Sequence, residues 1–239
     1  MTTAAVIIPW RDRGRDPLRP ANLSRVIDHW EQIIDHWECC DASLIVSDDG
    51  REGEASFCRS EAYNRGAAAT DAEVLIFTES DMLVPFSQIY AAVDLAIRRP
   101  GLVIPFNLYC HLTPEDSWEV RNYRADPHFY TPEWTMDNGR SIGAINVMSR
   151  NTLELTGGYD TQFEGSWYDD NAAKIAFDIC AGPTRWIDGP AFHLYHLPGY
   201  TGSHLTAEDR AATARNKHRL LQYRRARTAD QIRVLVHGG

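Results

Sequence analysis

A short apolar run that ends in two carboxylates constrains the fold of this chain more than any other stretch. Residues 74–77 are apolar, and they lead through Thr78 into Glu79-Ser80-Asp81. Because a strand buried on both faces forms a continuous apolar run, residues 74–77 predict an inner strand of an α/β sheet. Ligands bind beyond the carboxyl ends of such strands, so Glu79 and Asp81 would stand where a nucleotide and a divalent cation can bind. A strand-to-loop transition with a capping aspartate explains the same residues, and the motif alone does not decide between the two.

Further apolar runs and amphipathic segments alternate along the chain. Strands are predicted at residues 4–9, 44–46, 74–77, 102–106 and 141–148, and helices at residues 22–37, 57–70, 86–98, 151–156, 172–179 and 207–227. This alternation predicts an α/β fold, with a mostly parallel central sheet flanked by helices in a single domain. Residues 110–140 are polar and aromatic without a clear period, which indicates either a binding segment or lid, or a surface excursion.

The composition excludes several functional classes. The chain has 24 basic and 33 acidic residues among 239, and the net charge of −9 argues against a general binder of nucleic acids or anionic membranes. No apolar run reaches the length of a membrane span and the N-terminus lacks a signal-peptide pattern, so we predict no membrane insertion. Five scattered cysteines without metal-type spacing are typical of reduced thiols, and we predict a cytoplasmic location.

Polar residues that could bind a phosphorylated ligand follow the first two predicted strands. Arg11, Arg13 and Arg15 come directly after residues 4–9, and guanidinium groups bind phosphates and carboxylates bidentately. A solvated loop with local ion pairs is the alternative. Asp48 follows the second strand, where a carboxylate can bind a ribose or a base, although an Asp-Asp-Gly turn explains it equally well.

Two more groups could carry chemistry. Asp169 and Asp170 precede a predicted helix and follow the aromatic Trp167. Carboxylates beside aromatic side chains suit the general base of a sugar-binding site, and helix capping is the simpler alternative. His193 and His196 could share one metal ion if the backbone curves between them, whereas packed or hydrogen-bonded histidines are commoner.

Six segments share their order and residues with the motifs of one enzyme family. They are residues 6–13 (VIIPWRDR), the segment with Arg59 and Asn64, Glu79-Ser80-Asp81, residues 141–144 (SIGA), residues 157–170, and His193 to His196. They resemble the GT-A glycosyltransferases, most closely the β-1,4-galactosyltransferase-like or family 2-like branch. The corresponding motifs there are IIPFRxR, FNRAxxxNxG, DxD, GG, NGFxxxxWGWGxEDxD and a second pair of metal-binding positions. The resemblance covers residues 5–200 and departs from the family at Glu79, which replaces Asp, and in the shortened loop before Asp169.

The resemblance implies a GT-A (Rossmann-like) fold and metal-dependent transfer of a sugar, with inversion, to an acceptor hydroxyl. The implied donor is a nucleotide-diphosphate sugar, first of all a UDP-sugar. The implied cofactor is a divalent metal, Mn²⁺ first and Mg²⁺ as the alternative, held by Asp81, His193 and His196. Asp169 is the first candidate for the general base and Asp170 the second. The residues implied in donor binding are Pro9, Arg11, Arg13, Asp48, Arg59, Asn64, Glu79, Ser80 and Trp167. The acceptor stays open between a glycan, a protein, a lipid and a modified DNA base.

We expect the glycosyltransferase domain to span residues 1–205, with a donor half at about 1–108 and an acceptor half at about 109–205. A basic helical extension at 206–239 would pack on it. One alternative function is a nucleotidyltransferase of the same fold, but the chain has Trp10-Arg11-Asp12-Arg13 where such enzymes carry a Gly-rich loop and a lysine. A non-catalytic sugar-binding module is the other alternative.

Overall fold

Two parallel strands with mostly buried side chains, residues 2–9 and 74–78, lie at the centre of the structure, a computed structural model that describes residues 1–137, 141–199 and 201–238. Residues 138–140 of the predicted irregular segment, residue 200 of the predicted domain and residue 239 of the predicted extension lie outside the described residues. The strands are β1 (Thr2–Pro9), β2 (Cys40–Ser47), β3 (Val74–Thr78), β4 (Met82–Leu83), β5 (Val103–Ile104), β6 (Leu108–His111), β7 (Trp134–Met136), β8 (Ile145–Ser149), β9 (Arg185–Trp186) and β10 (Pro190–His193). The helices are α1 (Leu18–Asp35), α2 (Arg59–Ala68), α3 (Phe86–Arg98), α4 (Pro114–Tyr123), α5 (Arg150–Thr156), α6 (Asp169–Ala181), α7 (Ala207–Arg225) and α8 (Ala229–Val236).

The larger sheet has six strands in the order β2-β1-β3-β8-β5-β9. β1 pairs in parallel with both β2 and β3, so that Ile7 lies opposite Ile45 and Phe77. β8 runs antiparallel to β3 and β5, and β5 pairs in parallel with β9. The parallel arrangement of β1, β2 and β3 brings their carboxyl ends to one edge of the sheet, where ligands bind in α/β folds. The predicted α/β fold with a mostly parallel central sheet flanked by helices is confirmed.

A second sheet of four strands, in the order β4-β10-β6-β7, continues from the end of β3. Its strands are only two to four residues long, and the sequence patterns do not predict it. β10 pairs antiparallel with β4 and in parallel with β6, which places His193 opposite both Met82 and His111. This pairing brings the histidine segment next to Glu79-Ser80-Asp81.

Two buried apolar clusters hold these layers together. The larger one surrounds the six-stranded sheet and includes Trp30, Phe77 and Phe106. α2 packs against β1, and Gly66 permits the approach, because a Cβ at this position would lie 2.4 Å from Ile7 Cγ2. The smaller cluster joins α6 to the two C-terminal helices through residues such as Tyr223.

Three predicted segments differ from the structure. Residues 110–140 are not irregular over their whole length, because they include the end of β6, α4, a 3₁₀ turn at Pro127–Phe129 and β7. The signal for α4 is Thr113-Pro114: the Thr113 hydroxyl accepts the Asp116 N–H, and proline suits the first helical turn. The strand predicted at residues 141–148 begins only at Ile145, and the strand predicted at 102–106 is limited to Val103–Ile104, before Pro105.

The C-terminal segment also differs from its prediction. Residues 207–227 were expected to form one helix, but α7 ends at Arg225 and α8 follows it. Across residues 1–137, 141–199 and 201–238, no helix has both the length and the apolar composition that crossing a membrane requires.

Candidate active site

A cavity of about 570 Å³ opens at the carboxyl ends of β1 and β3. Pro9, the last residue of β1, and Glu79, the first residue after β3, both line it. The segment before α6 and the segment after β10 form further walls. Among the residues that line the cavity are Arg13, Arg19, Arg59, Ser80, Asp81, Tyr109, Gly143, Trp167, Asp170, His196 and Asp209. The volume lies in the range of small-molecule sites in proteins.

Asp81, His193 and His196 come together, with their ligand atoms all within 4.8 Å of one another. Asp81 and His196 line the cavity, and the buried His193 is not among the described residues that line it. The Leu194 N–H donates to the Asp81 carbonyl oxygen (2.8 Å), which joins the chain after β10 to the end of the carboxylate motif. His196 Nε2 lies 3.1 Å from Asp81 Oδ2, and His193 Nε2 lies 3.7 Å from Asp81 Oδ1. His193 ends β10, and His196 lies in the irregular chain that follows it.

The protonation of these groups suits a divalent metal. Burial lowers the pKa of His193 to about 3, so its imidazole is neutral at neutral pH. Burial opposes ionisation of Asp81, but His193, His196 and Arg19 outweigh it and hold the pKa of this carboxyl well below its usual range. Within the described parts of the chain, the buried Asp81 Oδ1 has no hydrogen-bond partner. Two imidazoles and a carboxylate with an unsatisfied oxygen are a donor set that fits Mn²⁺ and does not exclude Mg²⁺ or Zn²⁺.

Arg19 stands beside this set, although no sequence pattern singles it out. It belongs to the first turn of α1, and its Nη1 lies 3.8 Å from Asp81 Oδ2, while Nη2 lies 3.2 Å from His196 Nδ1. Asp16 accepts the Leu197 N–H (2.8 Å) and thereby fixes the loop that carries His196 against α1. A guanidinium group therefore faces the cavity next to the candidate metal ligands.

Arg59, at the start of α2, lines the cavity and contacts three carboxylates, those of Asp169, Asp170 and Glu79. Its Nε and Nη2 donate to Asp169 Oδ2 at 3.0 and 2.6 Å. It also contacts the carboxylates of Asp170 and Glu79. The extra methylene of Glu79, relative to the aspartate of the resembled motif, carries its carboxylate to Arg59. The resemblance implies that Arg59 supports the donor; its geometry ties it first to the two aspartates that begin α6.

Asp169 and Asp170 have different surroundings although they are adjacent. Both hydrogen bonds to Asp169 come from Arg59, and Asp169 faces a second, water-sized cavity of about 10 Å³ beneath α6. Asp170 instead lines the large cavity, with 32% of its side chain exposed. Gly143 leaves room for it, because a Cβ on Gly143 would lie 2.1 Å from Asp170 Cγ.

The environment of Asp170 suits a group that accepts a proton near neutral pH. Burial raises the pKa of Asp170 to about 6, and the neighbouring charge of Asp169 adds to this effect, whereas Arg59 opposes it. A general base works best when its pKa lies near the operating pH.

The segment before α6 has an unusual backbone. Gly165, Trp167 and Tyr168 all have positive φ, at 69°, 75° and 74°. The left-handed region costs a non-glycine residue on the order of 1–2 kcal/mol. Trp167 is 53% exposed and lines the cavity. The backbone conformation that places this segment at the cavity therefore has an energetic cost, which other contacts must offset.

Several residues implied in donor binding are engaged within the protein. Arg11 pairs with the buried Asp49 (Nε to Oδ1, 2.8 Å) and donates to the Ala55 carbonyl oxygen (2.7 Å). Arg13 donates to both carboxylate oxygens of Asp209, at 3.0 and 3.2 Å. These two guanidinium groups line the cavity, but their hydrogen bonds and ion pairs go to other parts of the protein and stabilise the cavity walls.

Asp48 and Asn64 are not among the described residues that line the large cavity. Asp48 accepts the Gly50 N–H (2.6 Å) in an exposed turn. Asn64 bonds both backbone polar groups of Tyr159, donating to the carbonyl oxygen (2.8 Å) and accepting from the N–H (2.9 Å). Asp48 thus has the turn geometry that the sequence offered as an alternative, and Asn64 joins α2 to the chain after α5.

Tyr109 is a further residue at the site that sequence reasoning misses. It lies on β6, and its ring packs against Trp134 and His193, with centroid distances of 5.7 and 5.5 Å. Burial raises the pKa of Tyr109 well above its usual value, and the charges of Asp81 and Asp170 add to this effect. A protonated phenol therefore lines the cavity within the electrostatic reach of both carboxylates.

No protein-family model matches the sequence, and no curated protein matches it. The catalytic domain of Drosophila β1,4-galactosyltransferase 7 in complex with xylobiose aligns with a TM-score of 0.55 at 12% identity, over 96% of this chain and 84% of that chain. A mutant of the Drosophila enzyme in complex with manganese, UDP-Gal and xylobiose aligns with a TM-score of 0.50 at 16% identity, over 79% of this chain and only 65% of that chain. Glucosyl-3-phosphoglycerate synthase from Mycobacterium tuberculosis, in complex with Mn²⁺, UDP-glucose and phosphoglyceric acid, aligns with a TM-score of 0.52 at 16% identity, over 93% of this chain and 79% of that chain. The chain therefore has the GT-A fold of these glycosyltransferases.

Proposed function

We propose that this chain is a metal-dependent glycosyltransferase that moves a sugar from a nucleoside-diphosphate sugar to an acceptor hydroxyl, with inversion. The observation that carries the proposal is a candidate metal set, Asp81, His193 and His196, of which Asp81 and His196 line the same cavity of a GT-A fold as Asp170, a carboxylate with raised pKa. UDP-sugars are the first donors to test, because the similar solved structures were obtained with UDP-Gal or UDP-glucose.

The metal-binding side of the cavity would receive the diphosphate. A divalent metal, Mn²⁺ first and Mg²⁺ second, supplies Lewis acidity that stabilises charge on the leaving diphosphate. Arg19 lies 3.2 Å from His196 Nδ1 and faces the same space, so we assign it to the phosphate oxygens as a second positive group. Arg11 and Arg13 would affect donor binding indirectly. Their guanidinium groups are paired with Asp49 and Asp209, so they would hold the cavity walls in place.

Asp170 would accept the proton of the acceptor hydroxyl. The acceptor oxygen then attacks the anomeric carbon, the bond from this carbon to the diphosphate oxygen breaks, and the nucleoside diphosphate leaves with the bonding electrons. A single displacement of this kind inverts the anomeric configuration. Asp170 replaces Asp169 as the first candidate because, although Arg59 binds both carboxylates, Asp170 lines the cavity and Asp169 does not.

Glu79 and Trp167 would bind the donor sugar or the ribose between these two sides. Both line the cavity, and Glu79 is oriented by Arg59. Pro9 and Ser80 would contribute to the same wall. The acceptor class stays open between a glycan, a protein, a lipid and a modified DNA base.

A thermal-shift screen of nucleotide sugars with and without Mn²⁺ tests the proposal. A ligand that binds only the native state at about 100 times its Kd stabilises it by about 2.7 kcal/mol. We expect a shift with a nucleotide sugar that depends on Mn²⁺, and its loss in Asp81→Asn and in His196→Ala. Turnover of that nucleotide sugar, followed as release of the nucleoside diphosphate, distinguishes an enzyme from a non-catalytic sugar-binding module.

Two surface variants serve as matched controls. Asp35→Asn and His218→Ala change the same residue types at exposed positions of α1 and α7. Both should keep the full Mn²⁺-dependent shift. Full turnover in Asp81→Asn and His196→Ala would overturn the metal assignment, and formation of a nucleotide sugar from a sugar phosphate would favour the nucleotidyltransferase.

A further inference from the structure

α7 turns two buried polar side chains toward the walls of the cavity. Asp209 and Asn216 are 4% and 2% exposed, and they are seven residues apart, so they lie on one face of the helix. Burial raises the pKa of Asp209, but hydrogen bonds from Arg13, from the Thr206 N–H (2.9 Å) and from the Ser56 hydroxyl (3.0 Å) outweigh burial and lower this pKa to about 2. The same helix face therefore binds the loop after β1 through Asp209.

Asn216 binds the opposite wall, residues 164–167. Its amide nitrogen donates to the carbonyl oxygens of Glu164 (2.8 Å), Trp167 (3.1 Å) and Ser166 (3.3 Å). Its amide oxygen accepts the Glu164 N–H (3.4 Å). Every hydrogen bond found for the Asn216 side chain among the described residues goes to this segment.

The segment needs an external anchor because its own conformation is costly. Gly165, Trp167 and the following Tyr168 have positive φ, and Trp167 and Tyr168 are not glycine. Other contacts also hold the segment: the Gly165 N–H donates to the Phe57 carbonyl oxygen (2.8 Å), and Ser166 Oγ donates to the Gly199 carbonyl oxygen (2.7 Å). The Trp167 carbonyl, just before the left-handed Tyr168 and the start of α6, is held by Asn216.

We propose that Asn216 is a positioning residue that acts through residues 164–168 to place Trp167 and Asp170 at the cavity. α7, which carries Asn216, would then be part of the site. The catalytic part of this inference rests on the proposed function, and the structural part does not. Removal of the Asn216 amide frees three carbonyl groups beside a strained backbone, so residues 164–168 relax. A displacement of about 1 Å at a catalytic group can cost about 10²-fold in rate.

Hydrogen exchange and steady-state kinetics of Asn216→Leu test the inference together. We expect faster exchange at residues 164–168, a kcat lower by about tenfold or more because Asp170 is displaced, and a higher donor KM because Trp167 is displaced. Mn²⁺ alone should bind as it does to the wild type, because the candidate metal ligands are untouched. If Asn216→Leu does not fold, Asn216→Ala, which adds no bulk, replaces it.

Tyr223→Phe is the matched control on the same helix. It removes one buried hydrogen bond, to Asp160 (2.8 Å), and none of the hydrogen bonds found for Tyr223 among the described residues goes to residues 164–168. It should leave exchange at residues 164–168 and kcat unchanged. Unchanged exchange or unchanged kcat in Asn216→Leu, or equal losses in Tyr223→Phe, would overturn the inference. If the wild type turns over no nucleotide sugar, the proposed function fails, and the exchange data alone decide whether Asn216 holds the segment.

Discussion

At the scale of single residues, neighbouring aspartates differ because one arginine binds them unequally. Asp169 accepts two hydrogen bonds from Arg59 and points away from the large cavity, so its charge is neutralised where it lies. Asp170 shares the same arginine but keeps a face on the cavity. A proton acceptor must reach its substrate before its basicity matters, and only Asp170 meets that condition.

The pH dependence of transfer distinguishes the two aspartates. The pKa of Asp170 is raised to about 6, so the carboxyl is protonated and inactive as a base below that pH and ionised above it. We expect kcat to rise with pH up to about 6 and then to level off, and Asp170→Asn to lose about 10²–10⁴-fold of kcat. Asp169→Asn removes a like charge beside Asp170, so it should move the inflection of the pH–kcat profile to lower pH. Near-normal kcat in Asp170→Asn with loss in Asp169→Asn would reverse the assignment.

The sequence predicts the site residues that follow strands better than those brought in by long-range contacts. Glu79, Ser80 and Asp81 were found because an apolar run predicts where β3 ends. Arg19 and Tyr109 carry no local signal, since their relation to Asp81 arises only after α1 and β6 have packed. Arg13 was expected to bind phosphate, but its partner Asp209 lies 196 residues away, and no local pattern indicates such a pair.

At the scale of elements, periodicity predicts the long elements, whereas pairing alone defines the short ones. The strands around β1 and the helices α1 and α3 follow from apolar runs and helical spacing. β4, β9 and β10 have two to four residues, too few for any period to be visible. Yet β10 sets the position of His193, so this part of the candidate metal site depends on a sheet that the sequence does not reveal.

A buried ion pair couples α7 to Asp160, in the chain just after α5. Asp160 accepts hydrogen bonds from Arg219 Nε (2.5 Å) and from the Tyr223 hydroxyl (2.8 Å), and all three side chains are largely buried. We expect Tyr223→Phe to lower the free energy of unfolding by about 1–2 kcal/mol, because Asp160 keeps its arginine. Arg219→Leu should cost about 3–5 kcal/mol, since it leaves a buried carboxylate without its counter-charge.

Urea unfolding at pH 7 measures both changes. Arg224→Leu, at an exposed position of the same helix, is the control and should change the free energy of unfolding by less than about 0.5 kcal/mol. A smaller cost for Arg219→Leu than for Tyr223→Phe would show that the ion pair does not stabilise this contact.

At the scale of the whole molecule, the two C-terminal helices complete the domain. The smaller apolar cluster is shared between α6 on one side and α7 and α8 on the other, with Phe163, Tyr223 and Ile232 at most 3% exposed. α6 begins with Asp169 and Asp170, so the helix that carries the candidate base packs on the segment that the sequence suggested as an extension. Stability and site geometry therefore depend on the same contacts.

Truncation at the predicted boundary tests this dependence. A chain of residues 1–205 loses the partners of Phe163 and of the buried face of α6, and it also loses Asp209, which binds Arg13. We expect it to unfold at a lower temperature and with lower cooperativity than the full chain, because buried apolar surface becomes exposed. A chain of residues 1–226, which lacks only α8, should fall between the two, since it keeps α7 but exposes the surface that Ile232 covers. Calorimetric melts of the three chains at one pH give the comparison. A 1–205 chain with the transition temperature and enthalpy of the full chain would mean that residues 206–239 are an appendage, and the positioning role of α7 would then have no structural basis.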